Sequence, residues 1–291
     1  MSPPLFASAM DMLVSTDWLA GQIDAPDLAV LDASLHLPSA GRDPRADFEA
    51  GHIPGARFLD LAGLHDPASA LPGKVPEGDR IARWLGERGI RPQTRIVLYD
   101  DSMLRSAARA WVLLDLAGLA NVAVLDGGLA KWRAEDRPLE SGAVASDTVA
   151  RPATMVRVTD VRDKAAMLDN VEARAEQVVD ARDAARFTGA EEDNVHDLPG
   201  GHIPGSRHLF FRNVLREDGT FRDTDELKAL FEQAGLDTGQ PIVATCGSGM
   251  SASVLLFALR LVGASRTALY DGSWSEWGAD PATPKETGEA R

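Results

Sequence analysis

The sequence contains one cysteine, Cys246, so no disulfide can form within the chain. Chains without disulfides are typical of reducing compartments. Residues 1–20 also lack a basic segment followed by an unbroken apolar segment, because Asp11 and Asp17 interrupt the apolar residues, and no secretory signal is predicted. We therefore expect a cytoplasmic protein in which Cys246 is either a buried apolar residue or a reactive thiol.

Basic residues are scarce as well. The 30 lysines and arginines are outnumbered by 44 acidic residues, which gives a formal net charge of -14. Long apolar runs are missing too: the richest, residues 254–262, is far shorter than the roughly 18 residues of a transmembrane helix and contains Arg260. An acidic surface repels phosphate backbones and anionic lipids, so we expect neither nucleic acid nor membrane as a partner. A locally positive pocket is still compatible with a small anionic substrate.

An internal repeat is the main feature that is present. The 291 residues, 44% of them hydrophobic, are enough for two cores, and segments recur in the same order at offsets of 148, 150 and 145 residues. The recurring segments are 30–34 with 178–182, 51–55 with 201–205, and 125–129 with 270–274. We infer two copies of one domain: a first copy in residues 1–140, a linker in residues 141–155 that is rich in Ser, Ala, Thr and Pro, and a second copy in residues 156–291.

Each copy alternates short apolar segments with helical patterns. In the second copy, strands are predicted at residues 177–180, 241–245 and 268–270, and amphipathic helices at residues 223–234 and 251–262. Short buried strands separated by helices form mainly parallel sheets that helices cover on both faces. The predicted fold class is therefore α/β, with two tandem domains of this kind.

Cys246 lies where a predicted strand ends and a predicted helix begins, at the sheet edge where open α/β folds bind ligands. It starts a segment that we name the cysteine loop: Cys246, Gly247, Ser248, Gly249, Met250 and Ser251. Two glycines allow consecutive N–H groups to point inward as an anion-binding nest. Such positive surroundings and a helix N-terminus can lower a cysteine pKa from about 8.5 to roughly 3.5–7.5, so the loop predicts a thiolate at neutral pH.

A thiolate in such a nest is suited to carrying sulfur. Attack on a small-molecule sulfur donor forms a Cys246 persulfide, and a thiol such as that of thioredoxin, or cyanide, then removes the outer sulfur atom. This chemistry needs no cofactor and no metal, and the sequence contains no Cys/His cluster for a metal. The loop alone also fits a tight turn in which Cys246 only packs.

Together these motifs resemble those of the tandem rhodanese sulfurtransferases, and the cysteine loop resembles the CGSG-type loop of the 3-mercaptopyruvate sulfurtransferases. The resemblance spans residues 14–278. It rests on the paired His-Ile-Pro-Gly segments, the two Asp-Gly segments with a following tryptophan, and a cysteine loop in the second copy alone. It implies two tandem rhodanese-like domains, an inactive first copy with Asp100 at the cysteine position, and Cys246 as the catalytic persulfide carrier.

The resemblance also implies substrate-binding residues. The backbone and hydroxyls of the cysteine loop from Gly247 to Ser251 are expected to line the pocket. Arg186 is expected to hold the donor carboxylate, for which a planar and permanently charged fork is well suited. The alternative for Arg186 is an ordinary surface arginine.

The chain departs from the family pattern at two places. The 3-mercaptopyruvate enzymes carry a second arginine nine positions after the first, where this chain has Val195. Their first copy also carries an Asp and a His that are proposed to relay protons to the loop serine. Asp66 matches that Asp and is a candidate relay residue, but Gly73 takes the histidine's place and the neighbouring His65 is a weak substitute. The mechanism is therefore expected to depend mainly on the thiolate and the nest.

Four further residues have open roles. Arg105 and Arg109 follow the first copy's counterpart of the cysteine loop, and they fit a cleft between the copies, solvent exposure or an interdomain salt bridge. Asp126 and Asp271 open glycine turns, where we expect them to accept backbone hydrogen bonds.

The leading hypothesis for the function is a sulfurtransferase with 3-mercaptopyruvate as the donor. Thiosulfate is the alternative donor, although no basic residue between Cys246 and Ser253 would meet its two charges. A phosphatase would need an arginine six places after the cysteine, where Ala252 stands. A non-catalytic persulfide carrier or regulatory binding protein is a further alternative, because the relay histidine and the second arginine are missing.

Overall fold

The computed structural model describes residues 10–71, 73–76, 78–91, 93–144 and 160–290. Most of the predicted linker lies outside these residues, as does the predicted start of the second copy at residue 156. The domain boundaries therefore stay a prediction. The described residues form two five-stranded sheets, one in each copy.

The first copy is built around a parallel sheet. Its strands are β1 (Leu13–Val14), β2 (Leu28–Asp32), β3 (Arg57–Phe58), β4 (Arg95–Tyr99) and β5 (Val122–Leu125). Its helices are α1 (Thr16–Ala20), α2 (Pro44–Ala50), α3 (Gly78–Glu87), α4 (Ser106–Leu116) and α5 (Gly128–Ala134). The strand order is β1-β5-β4-β2-β3, and every pairing is parallel.

The second copy repeats this topology. Its strands are β6 (Val161–Arg162), β7 (Gln177–Asp180), β8 (Arg207–His208), β9 (Ile242–Thr245) and β10 (Thr267–Tyr270). Its helices are α6 (Lys164–Ala173), α7 (Ala184–Thr188), α8 (Thr224–Gln233), α9 (Met250–Leu261) and α10 (Ser273–Trp277). The strand order β6-β10-β9-β7-β8 is again fully parallel, so the predicted α/β class with two tandem domains is confirmed.

The predicted elements of the second copy are confirmed with differences of one residue at their ends. Helix α8 begins after Asp223 because that side chain accepts from the N–H of Glu226, whose own carboxylate accepts from the Asp223 N–H. Helix α9 begins at Met250, one residue earlier than predicted. No helix in the described ranges is long and apolar enough to cross a bilayer.

Both faces of each sheet are covered, as side-chain alternation along the central strands requires. In β4, Ile96 and Leu98 belong to one hydrophobic core, whereas Val97 and Tyr99 belong to another on the opposite face. The first of these cores extends into the second copy, where it includes Ala244 of β9. The two domains therefore share one continuous apolar core.

Helices α4 and α9 form the centre of that shared core. Most of the residues of both helices are buried, which agrees with their apolar residues on every side. The Trp111 and Phe257 rings meet edge to face across the interface, with centroids 5.0 Å apart. At its margin, Arg260 pairs with Asp115 at 3.1 Å. Because each helix follows a strand of its own sheet, the interface brings the loops after β4 and β9 together.

The aspartate of each Asp-Gly turn accepts a backbone hydrogen bond from the other copy. Asp126 of the first copy accepts a hydrogen bond from the N–H of Phe221 at 2.8 Å, and Asp271 of the second accepts from the N–H of Val75 at 2.6 Å. The predicted role of both aspartates as acceptors of backbone hydrogen bonds is confirmed. The N–H donors, however, belong to the opposite copy. An Asp-Gly turn in the sequence does not predict these contacts between copies.

Candidate active site

Cys246 directly follows β9, and α9 begins four residues later at Met250. Its Sγ atom accepts a hydrogen bond from the N–H of Gly249 at 3.1 Å. The backbone of Cys246 is held from behind, because its N–H donates to Ser273 Oγ at 3.2 Å and its carbonyl accepts from the Trp274 N–H at 2.9 Å. The sulfur thus lies beside the N-terminus of α9 and accepts from one loop N–H group, that of Gly249, and the predicted nest of several N–H groups stays a prediction.

Gly249 shows why the loop needs a glycine at this point. Its φ of 81° lies in the left-handed region, which residues with a β-carbon rarely adopt. A β-carbon at this position would also lie only 3.1 Å from Nη1 of Arg109 and 3.3 Å from Oδ1 of Asp271. The turn that directs the Gly249 N–H at the sulfur therefore depends on the absence of a side chain.

Cys246 opens onto a cavity of about 330 Å³, which we name the active-site cavity. The second copy lines it with Arg182, Arg186, Val195, His196, Phe211, Cys246, Gly247, Ser248, Met250 and Ser251. The first copy lines it with Leu35, His36, Leu37, Pro38 and Leu104. Cys246 itself is only 2% exposed, so the sulfur lies at depth. Both copies are needed to enclose the site.

Arg186 lies in this cavity and is not an ordinary surface arginine. Its Nε donates to Asp183 at 2.7 Å and its Nη1 to Asp193 at 3.3 Å, which fixes the guanidinium group. Within the described part of the chain, no acceptor bonds to its Nη2. A fixed guanidinium with an unused N–H pair is available to a carboxylate in the cavity.

Arg182 is a second buried cation at the site, and the sequence reasoning missed it. The side chain donates to both oxygens of Asp180, pairs with Asp193 at 3.5 Å, and stacks on the Trp274 ring with its Cζ 4.5 Å from the centroid. Burial lowers the pKa of Arg182, but the nearby carboxylates and the Cys246 sulfur raise it above its ordinary value. A comparison of the two copies could have found Arg182, because the corresponding residue of the first copy is Ser34 and the arginine therefore occurs only in the copy with the cysteine.

His196 is also missing from the predicted site. Its Nδ1 lies 3.0 Å from Oδ1 of Asp193, and its imidazole packs on Gly247 so closely that a β-carbon there would collide with the ring. Burial raises the pKa of Asp193, but the bond to His196 and the charges of Arg186 and Arg182 hold it well below its usual range. Asp193 therefore stays ionised and orients all three side chains.

The residues of the expected proton relay are not all assembled. Gly73 does lie beside the cysteine loop, since a β-carbon there would be 3.7 Å from the Ser248 carbonyl oxygen, but it has no side chain to move a proton. Asp66 accepts from the Ala68 N–H within its own turn and is not among the residues that line the active-site cavity. His65 is bonded to the Ala62 carbonyl oxygen. The relay role of Asp66 stays a prediction.

The first copy's counterpart of the cysteine loop is filled by its own side chain. Asp100 follows β4 as Cys246 follows β9, and its carboxylate accepts from the N–H groups of Ser102 at 3.0 Å and Ala107 at 2.7 Å. Burial raises the pKa of Asp100, although Arg105 and these N–H groups counteract it. A carboxylate thus occupies the anion-binding position that sulfur would take in the second copy.

The active-site cavity thus combines a buried thiol, Cys246, with two arginines, Arg182 and Arg186. Among the described residues, no group of three or more His, Cys, Asp or Glu side chains could hold a metal ion. Covalent chemistry at one sulfur atom is what the side chains in this cavity support.

Comparison with known protein families agrees with this arrangement. The model of the rhodanese-like domain matches residues 15–135 and 160–280. The chain belongs to the rhodanese family. Each match contains one of the two parallel sheets, and only the second rhodanese domain carries the cysteine.

Several curated relatives are similar along 80–97% of their own length. The 3-mercaptopyruvate sulfurtransferase of Escherichia coli is 39% identical over 94% of this chain and 97% of the relative. The mouse enzyme of the same name is 38% identical over 95% of this chain and 93% of the relative. The mitochondrial thiosulfate/3-mercaptopyruvate sulfurtransferase 1 of Arabidopsis thaliana is 34% identical over 97% and 80%, respectively.

Solved structures show the same fold. The crystal structure of SseA from Escherichia coli, described as a 3-mercaptopyruvate sulfotransferase with the rhodanese fold, matches with a TM-score of 0.82 and 36% identity, covering 91% of this chain and 99% of that one. The Tum1 protein of Saccharomyces cerevisiae matches with a TM-score of 0.84 and 26% identity, covering 95% and 99%. The tandem rhodanese fold is therefore shared along 91–95% of this chain.

Proposed function

We propose that this rhodanese-family enzyme is a sulfurtransferase that accepts sulfur from 3-mercaptopyruvate on Cys246 and passes it to a thiol or to cyanide. The observation that carries the proposal is the position of Cys246 in a small cavity that is also lined by Arg182 and Arg186. Curated relatives with 36–39% identity bear the name of this activity. Their names support both the class of reaction and the choice of donor.

Donor binding is assigned to Arg186 and His196. The unused Nη2 of Arg186 binds the carboxylate of the donor, and Asp183 and Asp193 keep the guanidinium in place. His196, whose Nδ1 is bound to Asp193, has Nε2 as its remaining polar atom for the donor's oxygen atoms. This histidine follows Val195 directly and supplies a polar contact where the related enzymes have a second arginine.

In the first half-reaction, the Cys246 thiolate attacks the sulfur of 3-mercaptopyruvate. A sulfur–sulfur bond forms, the carbon–sulfur bond breaks, and its electron pair stays on carbon as the enolate of pyruvate. The proton lost by the donor thiol goes to that carbon, which yields pyruvate and the persulfide anion of Cys246. Arg182 and the Gly249 N–H stabilise the anion in both forms, because each favours negative charge on sulfur.

In the second half-reaction, an acceptor thiolate or cyanide attacks the outer sulfur atom. The sulfur–sulfur bond breaks and its electron pair returns to Cys246 as thiolate, so the resting enzyme is restored. A dithiol protein of the thioredoxin type is the acceptor class that we propose for the cell, with cyanide as a laboratory acceptor. An acidic surface gives no reason to expect nucleic acid or membrane partners.

Thiosulfate is the competing donor and carries two negative charges. The cysteine loop has no lysine or arginine between Gly247 and Ser253, and the guanidinium group of Arg182 is already bound to Asp180, Asp193 and the Gly201 carbonyl oxygen. Arg186 with His196 suits a single carboxylate better than a compact dianion. This distribution of charge favours 3-mercaptopyruvate.

Steady-state assays with both donors test the proposal. We expect kcat/KM for 3-mercaptopyruvate to exceed that for thiosulfate with cyanide, dithiothreitol and thioredoxin as acceptors. Cys246→Ser is the matched control and should abolish turnover with either donor. A reversed donor ratio would contradict the donor assignment and leave the sulfurtransferase class intact.

A persulfide carrier without turnover is the second candidate, because Gly73 leaves the loop serine without a relay partner. Mass spectrometry of the intact protein separates the two roles. A carrier gains one sulfur atom from the donor and keeps it when acceptors are added. An enzyme loses the sulfur to the acceptor and is loaded again through many cycles.

We propose a cytoplasmic location for the enzyme. A nucleophile that works as a free thiolate needs a reducing compartment, and Cys246 is the only cysteine of the chain. Fractionation of cells with an antibody to the protein would test this, and recovery in an oxidising compartment would contradict it.

A further inference from the structure

We propose that a second cavity beside the active-site cavity binds the charged end of a short peptide thiol, which acts as the sulfur acceptor. This inference rests on the proposed sulfurtransferase function. The cavity measures about 350 Å³ and is lined by Met103, Arg105, Arg212, Leu215, Arg216 and Glu217. We name it the rim cavity. Its size falls in the range of small-molecule sites, which begins at about 300 Å³.

The rim cavity adjoins the active-site cavity through two chain segments. Leu104 lines the active-site cavity, and its neighbours Met103 and Arg105 line the rim cavity. In the second copy, Phe211 lines the active-site cavity and Arg212 the rim cavity. The two cavities therefore lie close together at the seam between the copies, and the proposal requires an extended ligand that reaches from one to the other.

The charges of the rim cavity are unbalanced within the described residues. Arg216 is neutralised, because it pairs with Asp223 at 3.3 Å and also contacts Glu226. Neither Arg105 nor Arg212 has a carboxylate within ion-pair distance in the described part of the chain. The charge of Arg105 also acts on the buried Asp100, but neither guanidinium group has a direct ion pair, so both are available to a bound carboxylate.

Glu217 adds the complementary charge to the same cavity. It is exposed, and the described residues contain no cation within ion-pair distance of its carboxylate. A ligand that presents both a carboxylate and an ammonium group, as an amino acid or peptide does, satisfies Arg105, Arg212 and Glu217 together. This combination distinguishes a peptide thiol from a simple mercapto acid.

Arg105 is held at the seam in a conformation that few side chains adopt. Its φ of 53° and ψ of 51° lie in the left-handed region, at the N-cap of α4. Its guanidinium group packs on Gly219 of the second copy, where a β-carbon would collide with it. A non-glycine residue kept in this region is typical of functional sites. Both features place the Arg105 charge between the two copies.

Because the Cys246 sulfur is buried, the thiol group of the acceptor must be narrow enough to enter the active-site cavity. Cys246 is 2% exposed, whereas Met103 at the rim is 72% exposed. A thiol on a flexible peptide side chain can enter the active-site cavity while the charged backbone end stays in the rim cavity. The flexible Met103 side chain is suited to covering such a ligand.

The test compares glutathione, a peptide thiol, with dithiothreitol, an uncharged thiol, at a fixed concentration of 3-mercaptopyruvate. In the double variant Arg105→Gln/Arg212→Gln, we expect the ratio of kcat/KM for glutathione to that for dithiothreitol to fall roughly tenfold, as loss of charged hydrogen bonds implies. Arg83→Gln, an exposed arginine on α3 outside both cavities, is the matched control and should keep the wild-type ratio. An unchanged ratio in the double variant overturns the proposal.

Glu217→Gln gives an independent arm. It should lower kcat/KM for glutathione roughly twofold to fivefold, as expected for an exposed ion pair, and should leave N-acetylglutathione unaffected because that thiol lacks the ammonium group. Equal losses for both thiols would contradict the assignment of Glu217. If the wild-type protein turns over no acceptor at all, including dithiothreitol, the sulfurtransferase function itself fails. Turnover of dithiothreitol without any effect of the variants on glutathione removes only the rim site.

Discussion

Arg109 of the first copy donates from Nη2 to Oδ1 of Asp271 in the second copy at 3.0 Å, and both side chains are buried. Of the three environments considered for Arg109, the interdomain salt bridge is the one observed. The same Nη2 also donates to the Gly73 carbonyl oxygen at 2.5 Å, and Nη1 faces Gly249 without a hydrogen-bond partner in the described residues. A side chain of the first copy thus supports the cysteine loop of the second.

Removing one member of this pair should destabilise the whole chain. We expect Arg109→Met to lower the free energy of unfolding by about 3–5 kcal/mol, because the buried Asp271 carboxylate then keeps only the partly exposed Lys74 ammonium, 4.0 Å away, as a cation. Urea unfolding followed by fluorescence measures this. The double variant Arg109→Met/Asp271→Asn should recover part of the loss, since no isolated charge remains.

The control for that experiment is the Arg260–Asp115 pair at the margin of the same interface. Both of its side chains are about one-quarter exposed, so Arg260→Met should cost only about 0–1 kcal/mol. Equal losses for the two arginine variants would show that burial of the Arg109 pair has no energetic consequence.

Arg186 is expected to act on donor binding more than on the chemical step. We expect Arg186→Gln to raise KM for 3-mercaptopyruvate roughly tenfold or more, because a charged hydrogen bond to the carboxylate is lost. Initial rates over a range of donor concentrations give the change. A drop in kcat with an unaltered KM would contradict the role of Arg186 as a carboxylate ligand and would favour a role in the transition state.

Gly247 tests the contact between the cysteine loop and His196. We expect Gly247→Ala to lower kcat/KM for 3-mercaptopyruvate about tenfold or more, because the added β-carbon collides with the imidazole and displaces either the ring or the loop. Gly21→Ala is the control, since its β-carbon would meet α1 backbone oxygens at an ordinary 3.6 Å. Wild-type kinetics in Gly247→Ala would show that the imidazole moves away at no cost.

Asp32 predicts a pH dependence of stability in the first copy. Burial raises its pKa from the ordinary value of 3.8 to about 6. Between these pH values the carboxyl group is protonated in the folded protein and ionised in the unfolded chain. The stabilising contribution of the protonated group is complete below pH 3.8 and is lost as the pH rises through about 6. Asp32→Asn removes this titration. Between pH 4.5 and pH 7.5 the wild type should therefore lose about 2 kcal/mol of unfolding free energy relative to Asp32→Asn.

Urea unfolding at these two pH values measures the difference. Asp11→Asn, at an exposed position near the first strand, serves as the control and should run parallel to the wild type. A constant difference between Asp32→Asn and the wild type across the range would mean that Asp32 titrates alike in the folded and unfolded states.

Most of the fold could be predicted from the sequence because the signals are local and occur twice. The strand at residues 177–180 has the predicted bounds, since an apolar run between polar turns determines it. The position of Cys246 at the carboxyl end of β9 follows from the same order of strand, loop and helix. Duplication strengthens each inference, because an element found in one copy is expected in the other.

The walls of the active site could not be predicted in the same way. Leu35 and Leu104 reach the cavity only because α4 packs on α9, and that packing joins residues more than 100 positions apart. Arg182 and His196 converge through Asp193, a carboxylate in a loop without periodic pattern. Their contacts are set by three-dimensional packing, for which neither spacing nor composition carries a signal.

Asp100 stands in the first domain where the second has its cysteine, so Cys246 is the one residue of the sequence that can carry a persulfide. The Asp100 carboxylate accepts from the N–H groups of Ser102 and Ala107, so a side chain already takes the anion position of this loop. Saturating treatment with donor should accordingly load a single sulfur atom per polypeptide, and the persulfide content of a preparation directly counts its working molecules.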